Sequence, residues 1–288
     1  MKKSKLVKVL TVSLAALMVF GLASCGGGSG KVSDKDITVI SREEGSGTRD
    51  AFTELTGVLQ DDVDKTVDTA EISNSTSVVT QSVAGNDAAI GYISLGSLDD
   101  TVKAVKVDGV EATVDNIKSG DYKIQRPFNI VTKGEVKELP ADFIKFIMSK
   151  DGQKIIEDEG YISVNDNAEA YKASGLKGSI TLAGSTSVSP VMEVLADKYK
   201  ELNSGVTIEI QQTGSGAGIQ STTEGVCDIG MASRELKDEE TSQGLKSEEI
   251  ALDGIAVIVN KDNGVEDLSM DQIMKIFTGE ITSWADVK

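Results

Sequence analysis

The stretch ITLAGSTSVSP, residues 180–190, leads from a β-branched run through a loop of Gly, Ser and Thr into a predicted helix. Two other loops, SREEGSGT at residues 41–48 and TGSGAG at residues 213–218, have a similar composition and the same place between a strand and a helix. Such loops direct backbone N–H groups, hydroxyls and the positive end of a helix dipole toward one point, which is how proteins hold an oxyanion without a metal. Together they predict a binding site for a small anion.

The rest of the chain alternates short β-branched runs with helical patterns, a rhythm typical of an α/β fold. An Asp108-Gly109 pair predicts a tight turn, and with it a hairpin between residues 102–107 and 110–112. The predicted strands cover residues 37–41, 88–94, 128–132, 179–183, 207–211, 228–231 and 255–260, and the predicted helices cover residues 48–55, 75–84, 141–149, 153–159, 190–202, 217–224 and 270–277.

The first segment has the pattern of a secretory leader. Four lysines precede an apolar run over residues 9–23, which ends at Leu22-Ala23-Ser24-Cys25. The run is about fifteen residues long, whereas a membrane-spanning helix needs roughly twenty, so we predict a signal peptide at residues 1–24 rather than an uncleaved anchor helix. The cysteine gives the site the pattern of a bacterial lipobox. It predicts cleavage before Cys25, acylation of its thiol and a flexible tether over residues 25–36.

Composition excludes several classes of function. Removal of the four leader lysines takes the formal net charge from −17 to −21, which argues against nucleic acid as a partner. The chain has no histidine, which removes Ser-His-Asp and Cys-His nucleophile systems and histidine-based zinc sites. Cys227, the other cysteine, has the setting of a small core residue. We therefore predict no catalytic residue, no metal and no cofactor.

Beside the loops, the chain carries the motifs IGYISL at residues 90–95, CDIGMASR at 227–234 and FTGEITSW at 277–284. Together with residues 41–49, 180–190 and 212–218, these motifs resemble the phosphate-binding lipoproteins of PstS type, which serve ABC importers. The resemblance implies a type II periplasmic-binding-protein fold, in which two α/β lobes are joined by a hinge and an anion is buried in the cleft between them.

The order of these motifs differs from the order in the family. There the segment matching residues 179–287 comes first and the segment matching 37–164 comes second, so the sequence looks like a circular permutant joined through residues 173–178. The resemblance then predicts lobe A at residues 37–120 plus 254–288, and lobe B at 121–253. The short glycine-containing joint favours a monomer. A domain-swapped dimer and a fragment of a longer tandem protein are the alternatives.

The resemblance also implies the residues that bind phosphate. It places Thr186, Ser187 and Ser215 on one wall of the cleft, with Ser233 at a position where many family members carry an aspartate that accepts the proton of hydrogen phosphate. On the other wall it places Arg42, Ser46, Gly47 and Thr48, and it gives Glu44 the role of holding Arg42 in position. Because Ser233 replaces the aspartate, sulfate or another tetrahedral oxyanion is the alternative ligand.

The implied function is capture by closure of the cleft, followed by docking on a membrane permease. The protein would lie outside the cytoplasm and be anchored to the bacterial cell membrane by lipid on Cys25. Two hypotheses from other classes stay open. One is a surface phosphoesterase with Ser46 or Ser215 as nucleophile, and the other is a structural or adhesive lipoprotein that binds no anion.

Overall fold

The structure is a computed structural model that describes residues 32–287. The predicted signal peptide, the lipid site at Cys25 and the first part of the tether lie outside the described residues. Within the described part, no helix is long and apolar enough to cross a membrane.

The order of elements follows the predicted alternation. The strands are β1 (Thr38–Arg42), β2 (Leu59–Gln60), β3 (Val63–Asp64), β4 (Glu71–Ser73), β5 (Ala89–Ser94), β6 (Val102–Ala104), β7 (Lys106–Val107), β8 (Gln125–Lys133), β9 (Ile162–Ser163), β10 (Gly178–Gly184), β11 (Val206–Gln212), β12 (Ile229–Ala232), β13 (Leu245–Asn260) and β14 (Asp267–Leu268). The helices are α1 (Gly47–Thr56), α2 (Thr76–Gly85), α3 (Val114–Lys118), α4 (Glu138–Ile147), α5 (Lys150–Asp158), α6 (Ser189–Leu202), α7 (Ser215–Glu224), α8 (Asp238–Thr241) and α9 (Met270–Phe277).

One mixed sheet runs through the molecule in the order β11-β10-β12-β8-β13-β5-β1-β4, with β6 and β9 also paired to β13. Each end of the sheet has three parallel strands: β4, β1 and β5 at one end, and β11, β10 and β12 at the other. Each set of three comes from consecutive strand and helix pairs, β1-α1…β4-α2-β5 and β10-α6-β11-α7-β12. The two halves therefore repeat one topology, and the α/β fold class is confirmed.

Two antiparallel strands, β8 and β13, lie between the two parallel sets and are called the crossing strands. Strand β8 pairs with β12 on one side and with β13 on the other. Strand β13 is 16 residues long; its first part pairs with β8, and its last part, from Ile255, pairs with β5 and β6. A single strand thus belongs to both halves, which fixes the edge along which they meet.

Each half has its own apolar core. The first contains Phe52, Tyr92, Phe277 and Trp284, the last of which donates from its indole Nε1 to the carbonyl oxygen of Ala88 at 2.9 Å. The second is built around Phe128, Phe143, Phe146 and Tyr199. Residues Tyr122, Ile124 and Ile162, which the sequence assigned to lobe B, are buried in the first core. The lobe boundaries at 120/121 and 253/254 remain predictions.

Two predicted elements differ from the structure. Only Val107 and Val110 bridge around the Asp108-Gly109 turn, because β6 pairs with β13 and β7 pairs with β14 instead of forming the expected hairpin. The strand expected at 255–260 begins ten residues earlier, at Leu245. Its first part was missed because residues 246–249 are polar and exposed, so they lack the apolar alternation of a half-buried strand.

The close contact between α7 and β10 leads to a test of the packing. A Cβ on Gly218 would lie 2.4 Å from the Cα of Gly184 and 2.5 Å from the carbonyl oxygen of Ala183. These are backbone atoms of a central strand, so we expect Gly218→Ala to lower the free energy of unfolding by about 1–3 kcal/mol. Urea denaturation measures the change.

Gly85→Ala is the matched control, since Gly85 is also helical. Apart from its two chain neighbours and the backbone of its own helix, no described atom lies within 4 Å of a Cβ at this position. We expect this variant to be neutral or to gain up to about 1 kcal/mol, because alanine favours a helix over glycine. Equal losses in both variants would contradict the packing argument.

Candidate anion-binding site

Hydroxyl groups from the two halves of the sheet meet directly. Thr48 Oγ1, at the start of α1, lies 2.9 Å from Ser187 Oγ, in the turn before α6. Thr76 Oγ1, at the start of α2, lies 3.1 Å from Ser187 Oγ and 3.2 Å from Thr186 Oγ1. All four side chains are buried. The fold therefore brings together three of the predicted binding residues, Thr48, Thr186 and Ser187, from distant parts of the chain.

Arg42 ends β1 with its guanidinium among these hydroxyls, and only 2% of the residue is exposed. Its Nη2 donates to Thr186 Oγ1 at 3.1 Å, and its Nη1 donates to Thr76 Oγ1 at 3.4 Å. Behind it, the phenol oxygen of Tyr92 accepts from the backbone N–H of Arg42 at 3.3 Å. Burial raises the pKa of Tyr92 to about 12, so the phenol is neutral at physiological pH. Arg42 thus places a cation at the junction of the two halves.

The carboxylate that holds Arg42 belongs to Glu43. Its two oxygens accept from Nε and Nη2 of Arg42 at 2.8 and 2.9 Å. The sequence assigned this role to Glu44, and the structure corrects it, because Glu44 is exposed in the turn that follows β1. The turn includes Gly45, whose φ of +81° lies in the left-handed region that favours glycine.

A second group of hydroxyls lies in the half that contains β10 and β12. Ser185 Oγ donates to Ser233 Oγ at 3.0 Å, and Ser215 Oγ lies 3.3 Å from Ser233 Oγ. Gly47 of the other half faces this group. A Cβ on Gly47 would lie 2.5 Å from Ser215 Oγ and 2.8 Å from Ser233 Oγ. Only glycine lets α1 begin so close to these hydroxyls, which places Gly47, Ser215 and Ser233 at one point.

Four helices, α1, α2, α6 and α7, begin at these two groups. The N–H groups of a first helical turn have no partner within the helix, and the helix dipole makes that end positive. Their convergence creates a region that favours negative charge without any metal. Ser46 is the N-cap of α1, where its Oγ accepts from Arg49 N at 3.4 Å.

The first turn of α6 is not capped by the residue at its N-cap position. The helix begins at Ser189, and the N-cap position is Val188, which makes no side-chain capping bond. Ser185 takes the capping part instead, since its Oγ accepts from the N–H groups of Ser187 and Val188 at 3.2 and 3.4 Å. A tight turn at residues 186–188 precedes the helix, and the Ser185 hydroxyl at its beginning lies within hydrogen-bond distance of these N–H groups.

Sequence reasoning missed two residues of the cluster, Thr76 and Ser185. Ser185 lies in the loop at residues 180–190, but the resemblance does not place it among the phosphate contacts. Thr76 follows β4 in the run Ser73-Asn74-Ser75-Thr76, which is rich in hydroxyls and opens a helix but has no glycine. A search for hydroxyl-rich helix starts, with or without glycine, would have found it.

A buried ion pair lies where the two crossing strands meet. Nε and Nη2 of Arg126 on β8 donate to Asp253 Oδ2 on β13 at 3.2 and 3.1 Å, and each side chain is only 1% exposed. Burial raises the pKa of Asp253 to about 6, against the opposing effects of Arg126 and Ser94. The carboxylate is therefore ionised at neutral pH. Because Arg126 Nη1 also donates to the carbonyl oxygen of Ser233 at 3.3 Å, the pair links the crossing strands to the hydroxyl cluster.

Two cavities border the cluster. One, of about 440 Å³, has Thr76 and Thr186 in its wall, and the other, of about 490 Å³, has Arg126 and Arg234 in its wall. Residues of both halves line each cavity. Among residues 32–287, no group of three Cys, Asp or Glu side chains is placed to hold a metal ion.

Comparisons with known proteins agree with this architecture. A family model for the PBP superfamily domain matches residues 29–151 and 169–288. The phosphate-binding protein PstS 2 of Streptococcus agalactiae serotype V is 52% identical over 294 residues, covering 100% of this chain and 99% of that protein. The crystal structure of a phosphate-binding protein of a phosphate ABC transporter from Streptococcus pneumoniae TIGR4 is 49% identical, with a TM-score of 0.72 over 88% of this chain and 100% of that one.

A third relative matches over a shorter range. The phosphate-binding protein PstS of Bacillus subtilis is 37% identical over 127 residues, which is 43% of this chain and 42% of that protein. The predicted periplasmic-binding fold is confirmed by the family model and the streptococcal structure. The permuted order of the halves stays a prediction.

The assignment of Glu43 rather than Glu44 to Arg42 is directly testable. We expect Glu43→Gln to lower the free energy of unfolding by about 1–3 kcal/mol, because a buried guanidinium loses its charged partner. Glu44→Gln removes the same charge from the next residue, which is exposed, and we expect a change within about 0.5 kcal/mol. Urea denaturation measures the free energy of unfolding of both variants. A larger loss in Glu44→Gln than in Glu43→Gln would show that Glu44, and not Glu43, is the partner of Arg42.

Proposed function

We propose that this chain, which belongs to the PstS-type phosphate-binding proteins of the PBP superfamily, captures inorganic phosphate between its two halves and delivers it to the membrane permease of an ABC importer. The observation that carries the proposal is the buried meeting of hydroxyls from both halves around Arg42, at the N-termini of four helices. These are the donors that a tetrahedral oxyanion requires. The similarity to PstS proteins along the whole chain selects phosphate among such anions.

We assign the contacts to phosphate by wall of the cleft. Thr186, Ser187 and Ser215 would donate from the half that contains β10, where Ser233 would accept from the ligand. Arg42, Ser46, Gly47 and Thr48 would donate from the half that contains β1. To these eight we add Thr76, whose hydroxyl lies within 3.4 Å of Arg42 Nη1 and within 3.2 Å of Thr186 Oγ1. Hydroxyls and N–H groups supply the hydrogen bonds, and Arg42 supplies the charge.

Binding on this proposal proceeds by closure. Phosphate first meets the donors of one half, and the halves then rotate about the crossing strands β8 and β13 until the donors of the other half reach it. The closed form is the one that docks on the permease. A micromolar affinity corresponds to about 8 kcal/mol, which several charge-assisted hydrogen bonds in a site without water can supply.

The discrimination between phosphate and sulfate would depend on hydroxyl groups. Ser233 stands where many family members place an aspartate, and its Oγ already accepts a hydrogen bond from Ser185 Oγ. A serine hydroxyl can accept a hydrogen bond as well as donate one. Its oxygen can therefore accept from the P–O–H group of monohydrogen phosphate, a donor that sulfate at neutral pH does not have.

We place the protein outside the cytoplasm, anchored to the cell membrane through lipid on Cys25. The leader pattern before Cys25 and the transport role of the relatives support this location. We further propose that the protein acts as a monomer, because a single chain supplies both walls of the cleft. In that state, a lipid anchor would keep the binding protein near its permease.

The permuted order is part of the proposal. The Bacillus subtilis relative matches less than half of this chain. This is expected if the two halves follow each other in the opposite order in that protein, because one continuous match can then cover only one half. The segment that would join the family's usual ends is held in place: Ser174 Oγ donates to Asp142 Oδ2 at 2.7 Å, and Gly175 N donates to Asn203 Oδ1 at 3.2 Å.

No catalytic step belongs to this proposal. A phosphoesterase would need a general base beside Ser46 or Ser215. Among the contacts of the described residues, Ser46 Oγ accepts from a backbone N–H, and Ser215 Oγ has the backbone N–H and the hydroxyl of Ser233 as partners. The described partners of both hydroxyls are thus N–H groups and another hydroxyl, and none of these is a general base.

Titration of the purified full chain tests the proposed ligand. We expect one phosphate to bind per chain with a Kd in or below the micromolar range, and sulfate to bind at least about tenfold more weakly, because it has no O–H group to donate a hydrogen bond to a hydroxyl oxygen. Calorimetry at neutral pH measures both. A preference for sulfate would mean that the fold assignment stands but the ligand is sulfate. If the folded protein bound neither anion, the proposed function would be overturned.

The added contact, Thr76, has a matched control one turn further along α2. Thr76→Val keeps the shape but removes the hydroxyl, and we expect the Kd for phosphate to rise about tenfold, because one hydrogen bond to a charged group is lost. Thr80→Val removes a buried hydroxyl that donates to the carbonyl oxygen of Thr76. Its Kd should change less than about twofold. Equal effects of the two variants would remove Thr76 from the site.

A further inference from the structure

Outside the hydroxyl cluster, an ion pair joins the two halves at one side of the cleft. Asp50, in the first turn of α1, belongs to the half that contains β1, and Arg234 follows β12 in the other half. Arg234 Nε lies 2.9 Å from Asp50 Oδ2, and the two side chains are 8% and 28% exposed. Lys237 Nζ lies 3.5 Å from the same carboxylate oxygen.

The guanidinium of Arg234 is held in its own half. Glu240 accepts from Nη1 and Nη2 at 2.7 and 2.8 Å, and the carbonyl oxygen of Glu235 accepts from Nη1 at 2.8 Å. Asn129 fixes the backbone, since its amide donates to the carbonyl oxygen of Arg234 at 3.0 Å. Nε takes no part in these bonds; it lies 2.9 Å from Asp50 Oδ2 of the opposite half, as an ion pair without hydrogen-bond geometry. Because its own half already orients the guanidinium, contact with Asp50 costs little further side-chain entropy.

The pair lies next to the proposed phosphate contacts on both sides. Asp50 is two residues after Thr48, and Arg234 directly follows Ser233. Both also line the 490 Å³ cavity between the halves. Separation of the halves by the proposed opening would move Asp50 away from Arg234 together with Thr48. The ion pair would therefore belong to the closed arrangement.

We propose that Asp50 and Arg234 form a latch that holds the cleft closed over its ligand and so sets the rate at which phosphate leaves. The proposal rests on the function proposed above, and it makes Asp50 a positioning residue that does not itself touch the anion. A latch formed only in the closed state stabilises that state and raises affinity by the same factor. Most of the effect should appear in the dissociation rate.

Because Asp50 is negatively charged, the two explanations predict opposite changes in phosphate affinity when it is replaced. If Asp50 acted only through its electrostatic field, its removal would relieve repulsion of the anion and tighten binding. If it is a latch, Asp50→Asn weakens binding although the site becomes less negative. We expect the Kd for phosphate to rise about tenfold, and the dissociation rate to rise by a similar factor.

The experiment uses the purified full chain, radiolabelled inorganic phosphate, equilibrium dialysis for Kd and a chase with unlabelled phosphate for the dissociation rate. Glu54→Gln is the control, because it removes an exposed carboxylate one turn further along the same helix. Its Kd should stay within about twofold of the parent value. The thermal midpoint without phosphate should be nearly the same in both variants, while the increase on adding phosphate should be smaller in Asp50→Asn.

Arg234→Lys provides a second variant that keeps the charge but cannot bind Glu240 with two N–H groups and reach Asp50 at once. We expect weaker phosphate binding here also, by at least about fivefold. Unchanged or tighter binding in Asp50→Asn, or an unchanged Kd in Arg234→Lys, would overturn the latch while leaving the proposed function intact. Failure of the parent protein to bind phosphate would overturn both.

Discussion

Strand β13 is the constraint on which the rest of the structure depends. It is paired with β8 in one half and with β5 in the other, so neither half can form its full sheet without it. The ion pair of Arg126 and Asp253 is buried where β13 crosses between them. The crossing holds the halves along one edge, and as a result the hydroxyl-rich loops that follow their parallel strands face each other. Arg126 extends this order to the cleft through its bond to the carbonyl oxygen of Ser233.

The arrangement explains how a protein with a formal charge of −17 is suited to bind an anion. Its overall field opposes the ligand, so attraction must come from groups at contact distance. Arg42 is the cation inside the hydroxyl cluster, and Glu43 neutralises it with both carboxylate oxygens. The remaining attraction comes from hydroxyls and from four helix N-termini, whose dipoles act over a short range. Such a site gains its strength only when both halves contribute, which couples binding to closure.

The sequence predicts those parts that depend on local chemistry. The loops at 41–48, 180–190 and 213–218 were found because glycine, hydroxyls and a following helix signal occur together in each. The remaining parts of the fold depend on which strands pair, and no short segment of sequence determines that pairing. The first part of β13 is polar at residues 246–249 and becomes a strand only because β8 lies beside it. Glu43 and Glu44 have the same chemistry, but Glu43 binds Arg42 and Glu44 is exposed in the turn that follows β1, a difference that the sequence does not show.

The cluster also decides how the proton of the ligand is treated. Both oxygens of Glu43 accept from Arg42, so among the described contacts the carboxylate beside the cluster is already committed to a cation. The hydrogen bond from the P–O–H group of monohydrogen phosphate would then be accepted by a hydroxyl oxygen, and the chain from Ser185 to Ser233 to Ser215 offers several. A neutral acceptor forms a hydrogen bond about half as strong as a carboxylate does, but it does not repel a dianion. Selectivity for phosphate over sulfate would therefore rest on the orientation of hydroxyls and not on a fixed negative charge, which makes it smaller than a buried aspartate would give.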